Sequence, residues 1–534
     1  MMNTTTSISK KKEKKKIGLS DYYWAHADIL RGIGIPESTY DQRVLAFMAL
    51  KLLIDNGRLK FNFDYRNQFG LDDADYAKYK GKDTKATFSK IMKHLPELGK
   101  NLLFFEQEAR FNPGNSTQVL AYINHPRGFL FDYYINELNN DYLEQILDIY
   151  VEKADFKKYP KDEYKDLYEK TCSRMRERFT GDMNGQHFTQ KSIIHLMCET
   201  AIPLMKENET IAIYDPTCGT GSMIMESAFY FHQHKKTKGA KVEVFGQEIS
   251  GQLWLFSKIF LEISSIDGKT QGIKNTIAYG NTLTQPAFSK GINGKDSFDF
   301  IIANPPFGVD WKHDYEKVVK NMISKDPHFM VVQEGRKIIT PKKSDGQFLF
   351  MMHIINLMEQ EKAKGKRAFA AVISSSTLIS TGTKTSSEAK IRRQIFKKKI
   401  VRAVIEQPND MFTNTNICSH IWFLDSEEKP YIKIIKANNE EEILFCKHPK
   451  AQDKMKKAYS DENIKRLIRI MNVKKEYEFV SKNFNPEDQC EINLSAEIGK
   501  RDIIIDRDLD KLEKEIDDTF TELAKILGFN VSKI

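Results

Sequence analysis

Ile211-Ala212-Ile213-Tyr214-Asp215-Pro216-Thr217-Cys218-Gly219-Thr220-Gly221-Ser222 runs from a short apolar stretch through a glycine-punctuated turn into a helical pattern that reads to about His234. An apolar run of this length bounded by turn residues is a buried strand. Gly219 and Gly221 let the backbone adopt positive φ and pass close to a ligand. The helix that opens at Ser222 presents free N–H groups, which can receive a carboxylate. Asp215 can pair with an ammonium group, directly or through water. The spacing is not the dinucleotide fingerprint G-x-G-x-x-G, because residue 224 is Ile. A lone G-x-G is weak evidence by itself.

The pattern continues outward. Val242–Gly246 reads as a second strand, followed by a helix over Gly251–Ser264. Further strands are expected at Thr276–Tyr279, Phe298–Ala303, Ala368–Ile373, Val401–Ile405 and Ile421–Leu424, with a helix over Gln347–Lys362. Strand–helix alternation at this spacing predicts an α/β fold with a doubly wound, mostly parallel sheet. Ligands in such sheets bind beyond the carboxyl ends of the strands. The second strand ends in Gly246-Gln247-Glu248, which places a carboxylate where this fold class holds ribose hydroxyls. The third ends in Gly280-Asn281-Thr282, whose amide and hydroxyl can meet an adenine edge. Each of these residues alone also reads as an ordinary loop position.

Asn304-Pro305-Pro306-Phe307 closes the fourth strand. Asn304 offers a side-chain carbonyl and Pro305 a backbone carbonyl, two acceptors for an exocyclic amine. The prolines fix φ near about −65° and stiffen the turn. Phe307 offers a face on which a base can stack. The arrangement suits the N6 amine of adenine, whose nitrogen would be drawn from planarity by two accepted hydrogen bonds. An Asn-Pro-Pro turn can also simply end a strand. Three preceding strand ends carrying Asp, Glu and Asn point instead to a ligand with an amine, a carboxylate and a ribose–adenine moiety. S-adenosylmethionine meets all three requirements.

The remaining chain bounds the reading. Its 534 residues are 40% hydrophobic, enough for substantial cores. No apolar run reaches the roughly 18–20 residues of a membrane span. The lysine-rich start, residues 1–16, reads as a disordered basic tail and lacks the apolar segment of a secretory signal. Cysteines at 172, 198, 218, 418, 446 and 490 form no C-x-x-C pair, so no metal site and no disulfide framework is expected. A cytoplasmic, reduced protein is expected. Residues 17–165 read as a helical domain, with clear patterns over Asp41–Leu53 and Glu137–Val151. Residues 170–430 read as the α/β domain and 431–534 as a C-terminal region ending in a charged amphipathic helix, Asp506–Leu527. The net charge of +9 permits nucleic-acid binding without requiring it. The cluster Lys390, Arg392, Arg393, Lys397, Lys398 and Lys399 reads equally as a solvated helix face or as a contact for DNA phosphates.

These motifs resemble the modification (M) subunits of type I restriction–modification systems, which are S-adenosylmethionine-dependent adenine-N6 DNA methyltransferases. The resemblance covers about residues 20–430 and rests most on Asp215–Ser222, Asn304–Phe307 and their order. Gly185-Gln186-His187-Phe188-Thr189-Gln190, with Lys191 adjoining, resembles the family's aromatic-Phe-Thr-Pro segment that helps enclose the cofactor. Here Gln190 stands for the usual Pro and His187 for the usual aromatic. Ser374-Ser375-Ser376 stands where relatives often carry Pro-Asn-Gly, and Met411–Thr415 with Ile417–Leu424 resembles the family's late hairpin. The resemblance implies catalysis by Asn304, Pro305, Pro306 and Phe307. It implies cofactor binding by Gln186–Lys191, Asp215, Pro216, Cys218, Gly219, Thr220, Gly221, Ser222, Glu248, Asn281 and Thr282. Its implied partners are duplex DNA clamped by the helical domain, a separate specificity subunit against the C-terminal helix, a second M subunit and a restriction subunit. Two alternatives remain open on sequence. One is a methyltransferase acting on protein glutamine or RNA adenine, and the other is a non-catalytic methyltransferase-fold scaffold.

Overall fold

The computed structural model describes residues 18–35, 189–205, 210–237, 240–250, 273–288, 298–324, 327–383, 385–412, 418–438, 444–452, 455–474 and 481–484, with isolated positions between them. The basic tail, most of both N-terminal helical patterns and the helix over Asp506–Leu527 lie outside the described residues. So do Gln186, His187 and Phe188. Of the helix expected over Gly251–Ser264, the described positions Leu253, Trp254, Ser257 and Leu261 are helical.

The strands in chain order are β1 (Ile211–Asp215), β2 (Val242–Glu248), β3 (Ile273–Tyr279), β4 (Phe300–Ala303), β5 (Gln333–Glu334), β6 (Lys337–Ile338), β7 (Phe369–Ser375), β8 (Val401–Glu406), β9 (Ser419–Asp425), β10 (Ile432–Lys436), β11 (Cys446–Gln452), β12 (Met455–Ala458) and β13 (Ser481–Phe484). Nine of them form one sheet in the order β13-β10-β8-β9-β7-β4-β1-β2-β3. β1, β2, β3, β4 and β7 are mutually parallel where they pair. β9 is inserted antiparallel between β7 and β8, and β13 pairs antiparallel with β10. Every strand expected from the sequence is present. β10 and β13, which were not expected, carry the sheet beyond residue 430.

Helices cover both faces, as a continuous apolar strand such as β1 requires. The period of two along each strand divides its side chains between two cores. Ile211 and Ile213 join Val244, Ile302 and Ile405 on one face. That face is covered by α2 (Lys191–Ala201), α3 (Ser222–Gln233) and α8 (Asp461–Asn472), in chain order after α1 (Leu19–Gly32). Ala212 and Tyr214 join Ile301, Val372 and Trp422 on the other. There α4 (Tyr315–Met322), α5 (Gln347–Ala363) and α7 (Ser387–Lys397) pack, with the short α6 (Thr377–Ser380) between the last two. α5 is buried on nearly every side, from Phe348 to Met358, which fits a helix that is apolar all round. No helix among the described residues is long and apolar enough to cross a membrane.

The basic cluster on and after α7 has local work to do. Arg392 is fully buried and donates to the carbonyls of Leu378 (3.1 Å) and Thr381 (2.9 Å). Lys390 pairs with Glu334 and Lys398 with Glu359. These three side chains therefore fasten α7 to its neighbours.

Gly246 sets how closely the glycine turn meets the sheet. A Cβ at this position would lie 2.8 Å from both Cys218 Sγ and Ile277 Cδ1. Gly246→Ala is expected to destabilise the fold by about 1–3 kcal/mol through overpacking. An unchanged thermal unfolding midpoint would show that the turn can retreat without cost.

Candidate active site

The strand order reverses between β1 and β4: β2 and β3 extend from β1 one way, while β7 lies beyond β4 the other way. A crevice at such a switch point is where open α/β sheets bind ligands. A cavity of about 340 Å³ lies there, within the range of roughly 300–1,000 Å³ usual for small-molecule sites.

The turn after β1 forms one wall. Gly219 and Gly221 have φ of 55° and 76°, both left-handed. Gly221 caps α3, so that helix begins at the cavity without a side-chain cap. The Asp215 carboxylate accepts from the backbone N–H of Thr217 at 2.8 Å. Glu248, at the end of β2, accepts from the N–H of Gly219 at 2.9 Å through one oxygen and from that of Ser250 at 2.7 Å through the other. Glu248 thus fixes the glycine turn to the neighbouring strand end while bordering the cavity. Both acids are buried, at 1% and 6% exposure. Burial pushes Asp215 up to about 7, with the neighbouring Glu248 charge adding to the rise. Burial also raises Glu248 against the pull of its backbone donors. Two buried carboxylates raised in this way favour a cationic ligand, whose charge would restore their ionised forms.

Asn304 enters the same cavity at the end of β4. Its Nδ2 donates to Thr189 Oγ1 at 3.1 Å, which fixes the amide plane, and its Oδ1 is buried. Pro305 is buried beneath the turn, and Phe307 is half-buried against the core on the α2–α3 face. The segment beyond is pinned. Trp311 is buried and donates through Nε1 to the Lys342 carbonyl at 2.8 Å, and the Gly346 N–H donates to the Val309 carbonyl at 2.9 Å.

Of the residues expected at a site, the structure gathers Thr189, Asp215, Pro216, Cys218, Gly219, Thr220, Ser222, Glu248, Asn281, Thr282, Asn304 and Pro306 around this one cavity. Gln190, Lys191, Gly221, Pro305 and Phe307 do not line it. Gln190 is buried and donates to the carbonyls of Met411 (2.7 Å) and Lys457 (3.1 Å). Lys191 is exposed and pairs with Glu226 at 3.6 Å. The Thr282 hydroxyl donates to the Pro216 carbonyl at 2.6 Å and so bolts two loops together. Asn281 borders the cavity, but its Nδ2 donates to Asp314 (2.9 Å) and its Oδ1 accepts from the Leu283 N–H (2.9 Å). Asp314, Ile249 and Phe350 also line the cavity, and the sequence reading did not select them. No periodicity or motif connects Asp314 to Asn281 across the intervening residues, which include β4.

The family model described as N-6 DNA methylase matches residues 160–503, a span that contains the cavity and the whole nine-stranded sheet. The chain belongs to the N-6 DNA methylase family. Among curated relatives of this family member, the methylase subunit of the type I restriction enzyme MpnII from Mycoplasma pneumoniae is 24% identical over 389 residues, 72% of this chain. The HindI methylase subunit from Haemophilus influenzae is 28% identical over 267 residues, 49% of this chain. The matches cover 63% and 51% of those relatives, so the chain spans less than two thirds of their length. The type I restriction–modification methyltransferase subunit of Streptococcus thermophilus shares the fold. Its TM-score is 0.58 at 18% identity, covering 87% of this chain and 95% of that one.

Proposed function

We propose that this N-6 DNA methylase family member transfers a methyl group from S-adenosylmethionine to the N6 amine of an adenine flipped out of duplex DNA. In this reading it is the modification subunit of a type I restriction–modification complex. The observation that carries the reading is Asn304, oriented by Thr189, on the same cavity as Asp215 and Glu248. The donor set fits the cofactor. Asp215 would meet its ammonium, the N-terminus of α3 its carboxylate and Glu248 its ribose. When bound, S-adenosylmethionine supplies an electrophilic methyl on a sulfonium.

The chain's own residues do the rest. Asn304 Oδ1 and the Pro305 carbonyl accept the two N6 hydrogens, so the nitrogen lone pair is directed away from the ring. Pro306 restricts the backbone that carries the Pro305 carbonyl, and Thr189 holds the Asn304 amide. With the cofactor bound, the amine held by Asn304 and Pro305 would take the methyl as the methyl–sulfur bond broke, and would then lose a proton to water. Rate comes from orientation and fixed dipoles rather than from a strong base. Base extrusion costs roughly a few kcal/mol, which stacking on Phe307 would offset. A specificity subunit, a second M subunit and a restriction subunit are the proposed protein partners. Support comes from the relatives, which are themselves named as subunits of type I enzymes.

The chain is tested after co-expression with the neighbouring open reading frames. Tritiated methyl transfer is measured with duplex DNA, RNA and protein acceptors. Label confined to duplex DNA supports the reading. Label confined to RNA or protein moves the site to another substrate class, and absence of both transfer and cofactor binding supports a scaffold.

Asp215 makes binding depend on pH. Its folded value of about 7 lies above its ordinary 3.8. Its contribution to stability is therefore full below about pH 4 and is lost as pH rises through 7. An ammonium ligand requires the anion, so cofactor affinity should increase as pH climbs through that range, with proton release below it. Calorimetry in buffers of different ionisation enthalpy measures that release. A pH-independent affinity, or a dependence that persists in Asp215→Asn, would contradict this role.

A further inference from the structure

Glu406, Cys418 and His420 meet at the carboxyl end of β8, three strands along the sheet from β4. None lines the cavity described above. Glu406 ends β8, and His420 is its register partner on antiparallel β9, with Cys418 immediately before that strand. Their candidate ligand atoms, a carboxylate oxygen, a thiol sulfur and an imidazole nitrogen, all lie within 4.8 Å of one another.

Two of the three residues are buried, Cys418 less so, and the histidine is poorly satisfied. Glu406 and His420 are 6% and 3% exposed. His420 Nε2 stands 3.9 Å from the Glu406 carboxylate, beyond hydrogen-bond range, and its Nδ1 has no hydrogen-bond partner. The Cys418 thiol donates weakly to the Gln407 carbonyl at 3.6 Å, and the Gln407 Oε1 is also buried without a partner. Buried polar atoms left without partners are costly. Asn438 donates to Glu406 at 2.6 Å and orients it, as outer groups around metal ligands do.

We infer that Glu406, Cys418 and His420 form a zinc site at the carboxyl end of β8. One thiolate, one imidazole and one carboxylate form a donor set suited to Zn²⁺. Bond lengths of about 2.0–2.3 Å need only a small inward movement of the three side chains. Two anionic ligands neutralise the ion, and water or a neighbouring buried oxygen completes four-coordination. The sequence offers no C-x-x-C signal because the ligands converge across an antiparallel pair. The bridged connection carries Met411, whose carbonyl receives the Gln190 amide next to Thr189.

The test is metal analysis of the full-length chain after dialysis, with Cys418→Ser, His420→Ala and the control Cys198→Ala. Stoichiometric zinc is expected in the wild type and in Cys198→Ala, with loss from the other two. Metal-free wild-type protein should melt at a lower temperature than the loaded form. Titration of metal-free protein with Co²⁺ should give a thiolate-to-cobalt charge-transfer band, absent in Cys418→Ser. This comparison decides the matter even if His420→Ala does not fold. No retained metal and no cobalt band in the wild type would overturn the site, as would undiminished zinc and an unchanged band in Cys418→Ser.

Discussion

Asn304→Ala is expected to lower methyl transfer by about two to three orders of magnitude, the usual loss when one preorganised polar contact at a reacting centre is removed, with cofactor affinity unchanged. The asymmetry follows from where the side chain sits. Asn304 ends β4 and borders the cavity, and its Nδ2 donates to Thr189. Truncation therefore removes an acceptor for the target amine and leaves the β1–β2 wall standing. Thr189→Val keeps that acceptor and loses only its orienting partner. It should give a smaller fall in turnover, again without a change in cofactor binding. Single-turnover assays beside calorimetry separate the two effects. Parallel losses of binding and turnover in Asn304→Ala would show that Asn304 holds the cofactor instead.

Glu248→Ala should fail in the opposite manner, losing cofactor binding first. Its carboxylate is the acceptor for the amides of Gly219 and Ser250. Hydrogen bonds to a charged group contribute about 1.5–3 kcal/mol each. Removing the carboxylate leaves two amides in need of a partner and releases the glycine turn from β2, besides deleting the proposed ribose contact. A loss of roughly 100-fold in cofactor affinity is expected, with a lower unfolding midpoint. Glu248→Gln keeps the volume but offers only one acceptor oxygen, so it should fall between the two. Calorimetric affinity and thermal unfolding check both variants. Wild-type affinity in Glu248→Ala would remove this residue from the site.

What was legible in the sequence was local. Ile211–Ser222 announces a strand, a turn and a helix within twelve residues, and the backbone follows that script through to the left-handed Gly219 and Gly221. Asn304-Pro305-Pro306-Phe307 likewise declares its own geometry, because proline restricts the chain wherever it stands. Strand order was not legible. Nothing in the Ser419–Asp425 pattern says that β9 is inserted antiparallel between β7 and β8, since both of its faces are buried either way. β10 carries a fully buried Lys433 whose Nζ donates to Asn483 on β13 at 2.9 Å. That lysine is tolerable only beside a partner strand distant in sequence, so local reading gave no reason to extend the sheet. The same limit applied to Asn281. Its residue type suits an adenine edge, but the Asp314 carboxylate that engages its amide comes from the start of α4. The Glu406–Cys418–His420 cluster depends on register across a strand pair, which spacing along the chain does not express.

The most direct measurement is nucleoside mass spectrometry of host DNA after co-expression of the chain with its neighbouring open reading frames, wild type against Asn304→Ala. The account predicts N6-methyladenine in the wild-type sample at defined sequence positions and its disappearance in the variant, with equal amounts of folded protein. Equal N6-methyladenine in both samples would contradict it, because the amine of the methylated base would then be held by something other than the proline-stiffened turn at the end of β4.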